Sequence, residues 1–149
     1  MPHVPDEADK DIDVLFYGAV NERRARVLEA IEAAGARLKT VTGVYAAERD
    51  AMVARSRIVL NLHYYPMKIL ETVRVSYLLN NGCFVLSEES QVNPYARVGL
   101  FCRPYEKLAS TCGSLLERPE EIRTLALRNH QRFKTLFPMT EMLRRVLAA

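Results

Sequence analysis

The feature that most constrains this chain is a regular alternation of short apolar runs with segments of helical spacing. DVLFYG reads as a buried strand ending at Gly18, and ERRARVLEAIEAAG places Val27, Leu28 and Ile31 at helical spacing before a stop at Gly35. The pattern recurs as strand LKTVTG, helix AAERDAMVARS, strand RIVLNLHYY, helix ILETVRVSYLLNNG and strand CFVLSEE. Runs such as Ile58–Leu62 and Cys83–Leu86 are apolar without alternation, as expected where helices cover both faces of a parallel sheet. The expected fold is α/β, a doubly wound parallel sheet with strands near Val14–Tyr17, Leu38–Thr42, Ile58–Leu62 and Val85–Ser87. Its expected core comprises Leu15, Val27, Leu28, Ile31, Val59, Leu60, Val75, Leu79, Val85 and Leu86.

A further strand is expected near Leu100–Cys102, then a helix from about Tyr105 to Glu117 and another opening at Pro119, a favoured first-turn residue. A last helix, TEMLRRVLAA, forms a C-terminal tail. Residues 1–11, with two prolines and five charges, read as a flexible leader or linker, and residues 12–149 as one domain. At 149 residues and 49% hydrophobic composition the chain builds one core and has no room for a second large domain.

Charged residues make up 26% of the chain and the net charge is +3, too mild to mark a nucleic-acid binder. No run of eighteen apolar residues occurs, so no transmembrane segment is expected. Cys83, Cys102 and Cys112 form an odd set without a CxxC pair and read as reduced, buried thiols of a cytoplasmic protein. His63 has no second His or Cys at ligand spacing, so no metal is expected.

Ligands of such sheets bind at the carboxyl ends of the strands, near the point where strand order reverses. FYGAVNERRAR puts Gly18 and Asn21 at a strand end and Arg23 and Arg24 in the first helical turn, where backbone N–H groups and guanidinium forks suit a diphosphate; the alternative is a solvated helix face. Gly43, Val44 and Tyr45 follow the second strand, as a ligand loop or as a simple turn with Tyr45 packed on the domain. His63 and Tyr64 follow the third strand, as a sugar or phosphate contact or as polar loop residues. Glu71, Arg74 and Tyr77 share one helical stripe, facing a cleft or forming a surface ion pair. Glu88 and Glu89 close the next strand, as hydroxyl acceptors or as solvated carboxylates. No complete catalytic constellation is legible.

The stretch TGVYAAERDAMVARSRIVLNLHYY and its continuation RVSYLLNNGCFVLSE resemble, in order of elements over residues 12–104, the C-terminal, nucleotide-sugar-binding domain of GT-B glycosyltransferases of the group 1 and CgeB-like type. The resemblance implies a Rossmann-like donor domain that binds a nucleoside diphosphate sugar and needs an acceptor-binding domain or partner for sugar transfer. It puts Arg23 or Arg24 at the basic diphosphate position, Gly43–Tyr45 at the base, and Tyr77 where the family carries an acidic residue. That replacement leaves a second reading open, a non-catalytic binding or scaffold domain derived from a glycosyltransferase. A receiver-like regulatory domain is disfavoured, because the third strand ends in Asn61 and His63 rather than an aspartate.

Overall fold

The computed structural model describes residues 9–148. It is an α/β domain built on a five-stranded, all-parallel sheet in the order β2-β1-β3-β4-β5, comprising β1 (Ile12–Tyr17), β2 (Leu38–Val41), β3 (Ser56–Asn61), β4 (Val85–Glu88) and β5 (Phe101–Arg103). The helices are α1 (Glu22–Ala33), α2 (Ala46–Ala54), α3 (Thr72–Asn80), α4 (Leu108–Leu116), α5 (Pro119–Leu136) and α6 (Met139–Leu147). The helix expected from Tyr105 divides, its first residues, Tyr105–Lys107, winding as a 3-10 turn before α4.

Strand order reverses at β1. The chain moves outward from β1 to β2 and then crosses back to β3 on the other side, which leaves a crevice above the carboxyl ends of β1 and β3. Period-two alternation sends successive residues to opposite faces. Val14 and Phe16 of β1 join Val27, Leu28 and Ile31 of α1 and Leu108, Cys112 and Leu115 of α4 in one core layer. Leu15 points the other way, into a layer with Val53 of α2, Val75, Leu78 and Leu79 of α3, and Phe133 of α5. Helix α5 contributes to both layers, through Ile122 and Ala126 to the first and Phe133 to the second.

All ten expected core residues are buried. Cys112 is buried as expected, but Cys83 and Cys102 are only half-buried at the sheet margins; all three are free thiols, and burial pushes their pKa values up to about 12, 11 and 12 for Cys83, Cys102 and Cys112. The expected leader falls largely outside the described residues. Its last two members are tied to the domain, Lys10 Nζ donating to Ser56 O at 3.0 Å and Asp11 pairing with Arg55. No helix among the described residues is long and apolar enough to cross a membrane.

Candidate functional site

The crevice is framed by three strand-to-helix connections. After β1 the chain turns at Gly18, with φ of +139°, and enters α1 through Asn21, whose Oδ1 accepts from Arg24 N at 2.9 Å as an N-cap. Asn21 Nδ2 donates to Tyr64 O at 2.8 Å, so one side chain caps α1 and ties it to the loop after β3.

Arg24 is 3% exposed, so the solvated-face reading does not describe it. Its spacing to Val27, Leu28 and Ile31 is that of the buried stripe of α1, which carries the guanidinium inward. There it donates to Ala19 O at 2.7 Å, to Leu62 O, and to Glu71 Oε1 at 2.8 Å. Burial lowers the Arg24 pKa, and the facing Glu71 carboxylate opposes that shift. Glu71 also pairs with Arg74 at 2.7 Å, so the expected pair exists within a larger triad. The Arg74 guanidinium lies 4.7 Å from the Tyr17 ring centre. A side chain at position 18 would begin 3.1 Å from Arg74 NH2 and 3.7 Å from Arg24 NH1, so two guanidinium groups converge over Gly18.

A second knot lies toward β4. Glu88 ends that strand 1% exposed, not as a solvated loop carboxylate, and Arg23 grips it bidentately, NH1 reaching Oε2 at 2.8 Å and NH2 reaching Oε1. Glu88 Oε2 also accepts from His63 N at 3.1 Å, and Arg23 NH1 donates to His63 O at 3.1 Å. The Glu88 partnership raises the Arg23 pKa. Tyr105 lies against the same guanidinium, its ring centre 4.1 Å away, and donates from its hydroxyl to Arg23 O at 2.6 Å. His63 is a buried residue at 2% exposure rather than a polar loop position; its Nε2 lies 3.2 Å from Glu89 O and 3.1 Å from Ser90 Oγ, and its Nδ1 has no partner among the described residues. Glu89 itself is exposed.

Beside the Arg24–Glu71–Arg74 triad opens a cavity of about 540 Å³ whose lining includes Tyr17, Arg49, Glu71, Arg74 and Tyr77. The stripe of Glu71, Arg74 and Tyr77 does line one pocket. Tyr77 donates to Asp50 Oδ1 at 2.7 Å, and Arg49 bonds the same oxygen while its guanidinium lies 4.4 Å from the Tyr77 ring centre. Burial and the Asp50 carboxylate raise the Tyr77 pKa. Burial opposes ionisation of Asp50, yet Tyr77 and Arg49 outweigh it and hold its pKa below the ordinary value. Burial pushes the Tyr17 phenol up to about 12.

The loop after β2 stands apart. Gly43 has φ of +73°, and Tyr45 is 76% exposed rather than packed on the domain. Neither Gly43, Val44 nor Tyr45 lines the cavity. Sequence reasoning missed Tyr17, Arg49, Asp50 and Tyr105; the signal for Arg49 and Asp50 was their place four and three residues before the buried Val53, on the same face of α2. Among the described residues no group of His, Cys, Asp and Glu has the makings of a metal site.

These features define a Rossmann-like α/β domain with an arginine-rich crevice at its switch point. No protein-family model matches the chain. Two uncharacterized proteins of Acanthamoeba polyphaga mimivirus are similar to it, one 28% identical over 109 residues, 68% of this chain, and the other 30% identical over 87 residues, 57% of this chain. The matched stretch is 12% of the length of each viral protein, so the chain corresponds to a small part of either.

Proposed function

We propose that the crevice binds a nucleoside diphosphate sugar and that this domain is the donor-binding part of a glycosyltransferase of GT-B type, acting in the cytoplasm with an acceptor-binding domain or partner. The observation that carries this reading is the meeting of Arg24 and Arg74 over Gly18 at the switch point, beside a cavity with aromatic walls. Arg24, Arg49 and Arg74 stand against Glu71 and Asp50, leaving one positive charge in excess for an anionic ligand. Tyr17 and Tyr77 offer ring surface for a base or sugar, and Asp50 supplies a carboxylate acceptor next to the position where the family resemblance expects one.

Of the arginines, Arg74 is the one to test, because it faces the cavity from an α3 whose core contacts are made by Val75, Leu78 and Leu79. A calorimetric panel of nucleoside diphosphates and their sugars is expected to show binding by wild type that Arg74→Ala weakens by about 1.5–3 kcal/mol, the scale of a charge-assisted hydrogen bond. Absence of binding across the panel, or equal affinity in the variant, sinks the donor-site reading.

One observation favours the second reading, a non-catalytic binding domain derived from such an enzyme. Arg23 and Arg24 are each already neutralised by a carboxylate of the domain itself, as a site that has closed on its own side chains would be. The panel separates the two readings, since the second predicts no nucleotide affinity.

A further inference from the structure

Among the described residues every arginine except Arg97, Arg103, Arg128 and Arg132 takes part in an ion pair. Arg103 is packed on Phe101 and donates to Cys102 O. The other three are gathered in one place, at the end of the sheet opposite the crevice. Gly99 stands just before β5, with φ of +94°, and a side chain there would begin 3.5 Å from Arg128 NH2, 3.5 Å from Arg132 NH1 and 2.9 Å from Asn129 Oδ1. Arg97 and Arg132 line one open cavity of about 500 Å³ with Gln131, Thr135 and Leu136, a wall without a carboxylate.

Like charges at i and i+4 on a helix repel, and Arg128 and Arg132 hold this spacing on α5 while aiming guanidinium groups at the same point. Asn129 fixes that point. It is 2% exposed, donates from Nδ2 to Gly99 O at 2.9 Å, and keeps its buried Oδ1 without a partner among the described residues. The absence of a side chain on Gly99 lets Asn129 Oδ1 and the two guanidinium groups close over it, where a Cβ would meet all three.

We infer that Arg97, Arg128 and Arg132 form a second anion site, distinct from the crevice, that takes a phosphate group, either as the free ion or as a small monoester. Guanidinium forks match tetrahedral oxyanions by paired N–H donation, and two or three of them around one point bind a dianion in preference to chloride. The bound anion supplies the countercharge that the domain supplies to its other paired arginines.

The test uses the full chain, isotopically labelled, titrated with inorganic phosphate in one arm and phenyl phosphate in the other, with sodium chloride at matched ionic strength as control. Amide resonances of residues 97–99 and 128–132 are expected to move with phosphate or its ester and not with chloride. The side chains of Arg128 and Arg132 are exposed, so Arg128→Gln combined with Arg132→Gln leaves the core intact and is expected to weaken binding at least about tenfold. A response to phenyl phosphate alone assigns the site to monoesters and a response to inorganic phosphate alone assigns it to the free ion, while an equal response supports a site that reads the phosphate group itself. Shifts confined to crevice residues, or unchanged affinity in the double variant, overturn the inference.

Discussion

The two ends of the sheet treat arginine in opposite ways. At the carboxyl end Arg23 and Arg24 are held by Glu88 and Glu71, and in each partnership one member is closed to water. At the amino end of β5, Arg128 and Arg132 converge over Gly99 and Arg132 shares a cavity with Arg97, with no carboxylate in its wall among the described residues. The first arrangement is part of the fold, because removing either member strands a charge that folding has already desolvated. The second costs the fold nothing to lose. Arginine clusters that look alike in sequence can therefore be a structural clasp or an open site, and what separates them is whether the chain itself provides the counter-ion.

The sharpest way to break this comparison is to cut the Arg23–Glu88 clasp. Arg23→Ala leaves Glu88 at 1% exposure without its cation, takes the NH1 donor from His63 O, and removes the guanidinium from the Tyr105 ring. Urea denaturation is expected to show a loss of about 3–5 kcal/mol, part of it recovered when Glu88→Gln is added. A loss below about 1 kcal/mol would mean that the clasp is ornamental and the crevice arginines are as free as those on α5. The same arithmetic rules out the double substitution of Arg23 and Arg24 as a binding test, since its effect on folding would swamp its effect on a ligand.

Most of the fold can be read from the chain because the relevant signals are local. Apolar runs such as Ile58–Leu60 and Val85–Leu86 carry no alternation, Asn21 caps α1, and Pro119 opens α5. The site is harder, because its chemistry depends on which polar residues fold inward. Arg24 announced its burial by completing the stripe with Val27, Leu28 and Ile31, yet a charge in that stripe invites a surface reading. Glu88 follows an apolar strand directly and looks like the first residue of a loop; the ladder with Arg103 of β5 keeps it in the sheet and under cover. Its partner lies 65 residues away in sequence, so no spacing rule connects the two. The Asp50 to Tyr77 contact spans 27 residues and is hidden for the same reason.

A smaller effect is expected at that contact, which sits between the pinned and the open arginines because its cation, Arg49, is paired yet faces the cavity. Tyr77→Phe removes one hydrogen bond to a carboxylate and is expected to cost about 1 kcal/mol near neutral pH. The folded-state pKa of Asp50 lies below its ordinary 3.8, so this stability is present above about pH 4 and is lost as the pH falls through the folded value. The cost of Tyr77→Phe should accordingly shrink toward zero in acid, and a cost independent of pH would show that the phenol acts by packing alone. The contact also reverses the sign expected for Tyr77→Glu. The family resemblance leads one to expect tighter nucleotide binding from a carboxylate at 77, whereas with Asp50 Oδ1 2.7 Å from the phenol oxygen the new charge faces an old one and should weaken the site.

The smallest effect carries the other half of the comparison. If Arg128 and Arg132 repel across one helical turn with no carboxylate to balance them, removing one should stabilise the free domain, the opposite of what is expected at Arg23. Arg132→Gln keeps a long polar side chain of good helix propensity and deletes only the charge. The gain is expected to be a few tenths of a kcal/mol at low ionic strength, the scale of a single i, i+4 charge pair on a helix. Salt should diminish it, since both side chains are exposed and a Debye length of about 8–10 Å near physiological ionic strength screens them. Phosphate should do more than screen. By binding wild type more tightly than the variant, it should reverse the order of stability at a concentration where chloride merely equalises the two. Denaturation midpoints of both proteins in chloride and in phosphate at equal ionic strength measure this directly. If Arg132→Gln is less stable than wild type in both salts, the arginines of α5 are structural as well, and the contrast between the two ends of the sheet disappears.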